Sequence, residues 1–341
     1  MPLRPEELLH PRPEGLYCPM GDFYIDPMRA VARALITHGH SDHARAGHGA
    51  VLATRETLAI MALRMGEEFC GERQAVAYGA VIHHYGVDVS FHPAGHVLGS
   101  AQILLDYKGL RIAVSGDYKR ADDPTTAPFT PVPCHVFITE ATFGLPVFHH
   151  PDAAGEVGKL LASLIRQPGR AHLIGAYSLG KAQRVMRLIR QAGYDAPIYL
   201  HGAMEKVTRF YESEGIDLGS LLPVPPAKSG ADLAGAIILA PPSAMHDRWS
   251  QRFGDCVHVA ASGWMRIKAR ARQSGVELPL IISDHADWRE LQQTIRETGA
   301  SQIWVTHGQE DALVHWCGTQ GLAAKPLRLI GYGDEEVEEA A

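Results

Sequence analysis

Cysteine is scarce in this sequence, and the few cysteines are scattered. No two of the five form a Cys-x-x-Cys pair, and they stand far apart at Cys18, Cys70, Cys134, Cys256 and Cys317. This pattern argues against a disulfide framework and against a zinc site built from cysteine. It is typical of a reducing compartment, so we expect a cytoplasmic protein.

Long apolar runs and an excess of basic charge are also missing. No stretch approaches the roughly 18 consecutive apolar residues of a membrane span, and the first ten residues hold no apolar core for export. We therefore expect no association with membranes. The net charge is −6, and an acidic tail comprises Asp334, Glu335, Glu336, Glu338 and Glu339. A general nucleic-acid coat would be basic, but this net charge still allows a locally basic cleft.

The order of strands and helices divides the sequence into three parts. Residues 1–147 read as short strands with one helix at Thr57–Met65, whereas residues 148–278 alternate helices with buried strands. Residues 279–341 begin with a strand at Leu280–Ser283 and end in the acidic tail. Because alternating strands and helices are typical of a parallel sheet, we expect an α/β protein whose middle part is a parallel-sheet domain with a loop at Pro223–Ser229.

Histidine is abundant, with 19 residues, and four potential ligands fall within six positions of the segment THGHSDHA. These are His38, His40, Asp42 and His43. Imidazole and carboxylate groups suit zinc and its first-row neighbours. Ligands two residues apart after a strand point to the same side, so His38 and His40 can hold one ion. The chain then turns, which brings Asp42 and His43 toward a second ion.

Three later residues complete a candidate metal site. His96 lies in a turn between two strand-like segments, Asp117 follows the strand Arg111–Ser115, and His307 follows another buried strand. A single histidine near a strand is more often a packed or surface residue. In this order and context, however, the three predict a ligand set in which the Asp117 carboxylate bridges both ions.

This order of residues resembles the metallo-β-lactamase superfamily. The His-x-His-x-Asp-His element, the later histidine and the aspartate after a strand match positions 38–43, 96 and 117. Asp26 matches the family's first motif, a carboxylate that orients a ligating histidine from behind; a simple turn residue is the alternative. The resemblance implies an αββα sandwich formed by residues 1–147 and 279–341.

One branch of that superfamily fits the long interval between Asp117 and His307. Small hydrolases of the superfamily place their last metal histidine soon after the bridging aspartate, whereas 190 positions separate the two here. The intervening residues 148–278 resemble the β-CASP domain of the nucleic-acid nucleases represented by Artemis and RNase J. Glu140 in TEATFG, His285 in SDHAD and His307 in VTHG match motifs A, B and C of that branch.

The resemblance also implies roles for individual residues. His38, His40 and His96 would hold one divalent ion, Asp42, His43 and His307 the other, and Asp117 would bridge them; Zn²⁺ and Mn²⁺ both suit these ligands. His285 would be the general acid that protonates the leaving alkoxide, with its ring oriented by Glu140. The structural alternatives are a surface histidine before a helix and a capping or surface carboxylate.

Nucleic-acid contacts are expected in the middle domain. Ser178 and Lys181 stand where a strand opens into a helix, a position that favours anions, and Trp264 could stack on a base. A core tryptophan is an equal alternative. Two runs of basic residues are further candidates, although such runs are usually solvated faces. The first run comprises Arg184, Arg187 and Arg190, and the second comprises Arg266, Lys268, Arg270 and Arg272.

The opening segment GLYCPMGDFYIDP and the segment ASGWMR resemble the bacterial DNA-ligase-associated exonucleases. This implies single-strand DNA exonuclease activity in DNA repair, together with functional association with a DNA ligase and a helicase. His307 instead follows the RNA-processing form of motif C, so an RNA exonuclease or endonuclease is the alternative. A small-molecule metallo-hydrolase leaves the long insert unexplained, and an inactive scaffold should have lost metal ligands.

Overall fold

The computed structural model describes residues 3–225 and 233–327, which form two compact units. One unit comprises residues 3–148 and 285–327, and the other comprises residues 149–225 and 233–284. The acidic tail and most of the loop expected at Pro223–Ser229 lie outside the described residues. Within the described part of the chain, no helix is both long and apolar enough to span a bilayer.

The first sheet of the larger unit carries the histidine-rich segment at the end of one strand. After the short helix α1 (Pro5–Leu8), six strands follow in the order of the chain. They are β1 (His10–Arg12), β2 (Gly15–Cys18), β3 (Phe23–Ile25), β4 (Arg33–Leu35), β5 (His48–Ala53) and β6 (Cys70–Ala75). Strands β3 to β6 pair in parallel. Helix α2 (Arg55–Met65) connects β5 to β6 and begins at Thr54, whose side chain accepts a hydrogen bond from the Thr57 amide.

The second sheet of this unit joins strands from both ends of the chain. Its order is β19–β18–β11–β10–β9–β8–β7. The strands are β7 (Val81–His84), β8 (Val87–Pro93), β9 (Ala101–Tyr107), β10 (Leu110–Val114), β11 (Val136–Ala141), β18 (Gln302–Gly308) and β19 (Ala323–Pro326). Strand β11 pairs in parallel with β18, although the whole second unit lies between them in sequence. The second unit is therefore an insertion between two neighbouring strands.

The two sheets of the larger unit share one hydrophobic core. Buried residues of the first sheet, such as Phe23 and Leu35, belong to the same cluster as Ile103 and Ile138 of the second sheet. Alternate residues of β10 face opposite ways: Ile112 and Val114 join that shared core. Ala113 joins a second cluster with α8 (Trp288–Thr298) and α9 (Glu310–Thr319). Helix α2 packs on the first sheet through a third cluster.

The inserted unit is built on one sheet in which every pairing is parallel. The order is β14–β13–β15–β12–β16–β17. The strands are β12 (His172–Gly175), β13 (Ile198–Leu200), β14 (Leu221–Pro223), β15 (Ile237–Ala240), β16 (Val257–Ala261) and β17 (Leu278–Leu280). The helices are α3 (Ala153–Arg166), α4 (Lys181–Gln191), α5 (Gly202–Ser213), α6 (Arg248–Gln251) and α7 (Lys268–Gln273). The expected α/β class and the expected parallel sheet are thus confirmed.

The strand expected at Leu280–Ser283 is misplaced in the sequence-based prediction. The structure has it at Leu278–Leu280. Beyond Leu280 the backbone is bound by side chains rather than by a neighbouring strand. The Ile281 amide donates to the Glu156 carboxylate at 2.9 Å, and the Ile282 carbonyl accepts from the Lys181 amine at 3.0 Å. These partners end the strand early.

Candidate metal centre

Three histidines from two loops converge in the larger unit. His38 and His40 follow β4, and His96 lies in the loop between β8 and β9. The distance from His38 Nε2 to His40 Nδ1 is 3.2 Å, and from His96 Nε2 to His40 Nδ1 it is 3.0 Å. Two ligands of one tetrahedral zinc ion, each about 2.1 Å from the metal, lie about 3.4 Å apart. These ring nitrogens are therefore spaced as ligands of one ion would be.

Asp117, after β10, lies among these histidines. Its Oδ2 atom is 3.5 Å from His38 Nε2, 3.5 Å from His43 Nε2 and 3.8 Å from His96 Nε2. His38, His40, His96 and Asp117 each offer a ligand atom within 4.8 Å of the others, and His38, Asp42 and His43 form a second such group. All six residues are buried. The donor set therefore fits two neighbouring divalent ions with a carboxylate between them.

His307 lies beside this set rather than inside either group of converging ligand atoms. Its ring stacks on His43 with a centroid distance of 5.2 Å, and its Nδ1 atom is 3.2 Å from the Thr306 hydroxyl. The backbone of His307 has φ of 58°, in the left-handed region that a non-glycine residue seldom adopts. The structure therefore brings His307 next to a candidate ligand through an unusual local backbone.

Asp26 lies behind the ring of the candidate ligand His43. Its Oδ2 atom is 2.8 Å from His43 Nδ1, so that His43 Nε2 faces Asp117. The Thr37 amide and hydroxyl donate to the two Asp26 oxygens at 2.8 and 2.6 Å. The hydroxyl oxygen of Thr37 also lies 3.1 Å from His38 Nδ1. Sequence reasoning missed Thr37, whose only signal was its place directly before the first histidine.

Burial and charge give the site a definite protonation pattern. Burial and the nearby His43 hold the pKa of His38 well below its usual range and lower the pKa of His307 to about 3. Burial disfavours the cation of His43 as well, but the Asp117 and Asp42 carboxylates raise its pKa well above the usual value. Despite burial, His43 also holds the pKa of Asp117 well below the usual range. His38 and His307 are therefore neutral, the form that binds metals.

Glu140 and His285 form a pair next to the histidine cluster. Glu140 is fully buried at the end of β11, and its two carboxylate oxygens lie 2.9 and 3.1 Å from His285 Nδ1. The Tyr118 amide donates to the same carboxylate at 2.7 Å, and the Tyr118 carbonyl accepts from the Ala286 amide at 2.7 Å. The His285 ring lies 4.7 Å from the His96 ring. His285 is thus fixed beside the candidate metal ligands.

Two glycines allow the close backbone approaches on which the site depends. Gly116, before Asp117, has φ of 55°, and a Cβ atom there would lie 2.7 Å from the Thr37 side chain. Gly308, after His307, has φ of 77°, and a Cβ atom would lie 2.3 Å from the Ala141 carbonyl oxygen. Because both the conformation and the space exclude side chains, these positions require glycine.

Curated proteins similar to this chain include nucleases and a ligase. A probable DNA ligase from Opitutus terrae is 26% identical over 318 residues, which cover 91% of this chain and 30% of that protein. An endoribonuclease (YSH1) from Mycosarcoma maydis is 30% identical over 54% of this chain and 26% of its own length. A ribonuclease from Thermus thermophilus is 28% identical over 53% of this chain and 48% of its own length.

The chain is a relative of the β-CASP metallo-β-lactamase nucleases. It spans between about a quarter and a half of the length of the three relatives above. No protein-family model matches it. A solved structure of a protein of unknown function from Enterococcus faecalis V583 has a TM-score of 0.53 and 13% identity, covering 80% of this chain and 74% of that one. At this identity, the similarity to the solved structure concerns the fold alone.

In this relative of the β-CASP nucleases, Lys181 does not have the setting of a phosphate contact. Its side chain is buried, with 1% exposed, and its amine lies 3.2 Å from an Asp284 oxygen. Arg184, also buried, bonds the same carboxylate at 3.1 Å and the Ser283 carbonyl. The expectation that Lys181, at the start of helix α4, contacts nucleic acid is therefore corrected. Lys181 and Arg184 instead hold the backbone that precedes His285. The sequence placed Asp284 in a motif but did not reveal this pairing.

The other residues expected to contact nucleic acid are more open. Ser178 and Trp264 are both half-buried, and Arg270 lies over the Trp264 ring at 4.1 Å from its centroid. Arg190 donates to the carbonyls of Tyr194, Ala196, Leu218 and Ser220, so this member of the first basic run is structural. Contacts of Ser178 and Trp264 with nucleic acid stay predictions.

We expect Lys181→Ala to reduce stability rather than to weaken phosphate binding. Removing one partner of a buried ion pair typically costs about 3–5 kcal/mol; here Arg184 still faces Asp284, so we expect the lower end of that range. Thermal unfolding and single-strand DNA affinity should be compared with those of Lys206→Ala, an exposed lysine on α5. An unchanged unfolding temperature with weaker, less salt-dependent binding would restore the phosphate-contact interpretation.

Proposed function

We propose that this chain is a two-metal nuclease that hydrolyses phosphodiester bonds. One observation carries the proposal: two groups of His and Asp ligand atoms adjoin, with Asp117 of one group 3.5 Å from His43 of the other, and the Glu140–His285 pair lies beside them. The larger unit would be the metallo-β-lactamase sandwich and the inserted unit the β-CASP domain. The nuclease relatives support this assignment.

The residues assigned to the two ions are those that the resemblance to the β-CASP nucleases implies. His38, His40 and His96 would hold one ion, Asp42, His43 and His307 the other, and Asp117 would contact both. Two divalent ions, Zn²⁺ or Mn²⁺, would supply an activated water and stabilise negative charge on the phosphate. Asp26 would keep His43 oriented through the 2.8 Å contact to Nδ1, since groups behind a ligand fix its ring.

The chain's own contribution to bond cleavage would be a proton for the leaving oxygen. His285 is the proposed donor because Glu140 binds its ring at Nδ1 and the ring lies 4.7 Å from that of the candidate ligand His96. Glu140 in turn is held by the Tyr118 amide. A buried carboxylate held in this way would fix the orientation of the His285 ring.

Single-stranded DNA, cut from an end during DNA repair, is the proposed substrate. The relative from Opitutus terrae supports DNA, because a segment similar to 91% of this chain occupies 30% of a probable DNA ligase. Functional association with a DNA ligase and a helicase follows from the same resemblance. The five cysteines are all free, which supports a cytoplasmic location.

RNA processing is the second candidate function. Its support is the ribonuclease and endoribonuclease names of two relatives and the histidine at position 307 in VTHG. The RNA alternative includes both exonucleolytic and endonucleolytic cleavage.

Digestion of matched DNA and RNA strands should separate these candidates. We expect end-labelled single-stranded DNA to be shortened faster than RNA of the same sequence, with 5′-phosphate and 5′-hydroxyl ends tested in parallel. A closed single-stranded DNA circle should resist, because it has no end, and binding should weaken as salt rises because phosphate contacts release counterions. Equal or faster digestion of RNA would favour RNA processing, and rapid cutting of the circle would favour an endonuclease.

A further inference from the structure

A buried lysine contacts the loop that carries His96. Lys119 is 1% exposed, and its amine is paired at 2.5 Å with Asp123, whose side chain is also buried. The same amine donates to the His96 carbonyl oxygen at 3.2 Å. Burying a lysine is costly unless its charge is paired and its hydrogen bonds are satisfied. Asp123 pairs the charge of Lys119, and the carbonyl oxygen of His96, a candidate metal ligand, accepts one of its hydrogen bonds.

The main chain of His96 is bound on both sides. Its amide donates to the Ser100 hydroxyl at 3.0 Å, while its carbonyl accepts from Lys119. The neighbouring residues are tied to the same segment. The Lys119 amide donates to the Ala94 carbonyl at 3.1 Å, and the Thr126 hydroxyl donates to the Gly95 carbonyl at 3.3 Å. Lys119 and Thr126 therefore bind the backbone segment that carries the His96 ring.

Asp123 organises this segment as well as neutralising Lys119. Its Oδ1 atom accepts from the Thr125 amide at 2.8 Å and from the Thr125 hydroxyl at 2.6 Å, whereas Oδ2 faces the lysine. The carboxylate thus links the lysine to the turn that reaches Gly95. Residues 119–126 lie two to nine positions after Asp117, so one stretch of chain would supply the bridging carboxylate and fix His96.

We infer that Lys119, neutralised by Asp123, is a positioning residue for the metal ion held by His96. This inference rests on the two-ion site of the proposed function and goes beyond it, because it assigns a role to residues that bind neither metal nor substrate. Loss of Lys119 should loosen the His96 backbone and weaken one ion selectively. Changes behind a metal ligand typically cost about 10–100-fold in metal affinity.

The test measures metal binding, independently of cleavage. Full-length protein loaded with Zn²⁺ is dialysed against graded concentrations of dipicolinate, and the retained zinc and the far-ultraviolet circular dichroism are measured. In Lys119→Met, one of the two zinc ions should be bound about 10–100-fold more weakly and so be lost at lower dipicolinate concentrations. The other zinc ion should be retained as in wild type. Lys108→Met, at an exposed lysine outside the site, should match wild type.

The same experiment in a His96→Ala background separates positioning from general stability. That variant should already lack the His96-dependent ion, so adding Lys119→Met should not change the affinity of the remaining zinc. Weakening of that remaining zinc, or wild-type zinc retention in Lys119→Met, would overturn the inference. If wild type itself fails to hold two equivalents, the two-metal proposal fails first, which is a distinguishable result.

Lys119→Met leaves Asp123 buried without its lysine and could fail to fold for that reason. Lys119→Met/Asp123→Asn removes both charges and keeps an oxygen that can accept from Thr125. We expect this double variant to be folded by circular dichroism and still to lose one zinc equivalent selectively. A folded double variant with wild-type zinc retention would show that the pair serves folding alone.

Discussion

Asp117→Ala should abolish cleavage while leaving the fold of the larger unit largely intact. Asp117 belongs to one group of candidate ligands, and its carboxylate lies 3.5 Å from His43 Nε2 of the other group. In the proposed assignment of ligands, Asp117 is the residue that would contact both ions. We therefore expect a larger loss than the roughly 10–100-fold that changes behind a ligand cause. Zinc content, cleavage rate and circular dichroism should be measured on the same preparation.

Two variants make the Asp117 result interpretable. Asp117→Asn keeps the size of the side chain and should also be inactive, because a neutral amide lacks the negative charge with which the carboxylate would bind both ions. Asp122→Ala removes an exposed carboxylate five residues away and should cleave as wild type does. Cleavage by Asp117→Ala at the wild-type rate would show that the two-metal assignment is wrong.

The candidate metal site could be located from the sequence because its ligands follow strands in a short, ordered series. His38, His40, Asp42 and His43 lie within six positions, so local geometry alone keeps them together. His96, Asp117 and His307 are each weak signals alone and could be predicted only from their order along the chain; the structure brings all three into the same region. Side chains that bind metals leave such a pattern because chemistry restricts the residue types.

The residues that hold these ligands in place left no comparable signal. The sequence does not distinguish Lys119, and it predicts Lys181 as a nucleic-acid contact, yet both are buried with carboxylate partners. Lys119 and Asp123 are four residues apart in a loop, and Lys181 and Asp284 are more than a hundred residues apart. A four-residue spacing indicates a contact only within a helix, and Lys119 and Asp123 lie in a loop. A separation of more than a hundred residues matches no local repeat. Such partners are fixed by tertiary structure.

Secondary structure was predictable where one face is apolar and was missed at sheet edges. Strand β6 (Cys70–Ala75) reads CGERQA and is mostly exposed, so it lacks the alternation that indicates a strand. It exists because β5 supplies hydrogen-bond partners along its length. The short strands β1 and β19 at the sheet edges are similar, with little buried surface. Pairing with a neighbour, rather than local propensity, determines these elements.

His285→Ala should slow cleavage by roughly 10²–10⁴-fold, the usual contribution of general acid catalysis, while both metal ions are retained. The ring is bound through Nδ1 to the buried Glu140 and lies 4.7 Å from the His96 ring, so it is close enough to act beside the ions. The competing interpretation is that His285 is itself a ligand, since Asp117, Glu140 and His285 also place ligand atoms within 4.8 Å of one another. Zinc content and cleavage rate together distinguish an acid from a ligand.

The leaving group provides the sharper test of the His285 role. A nucleotide ester of p-nitrophenol releases a stable phenolate that needs no proton, so His285→Ala should be much less impaired on it than on DNA. A histidine that binds metal would be needed for both substrates alike. His315→Ala, at an exposed histidine on helix α9, is the matched control and should behave as wild type on both. Equal impairment of His285→Ala on the two substrates, together with loss of a zinc equivalent, would assign His285 to the metal and leave the proton donor to another group.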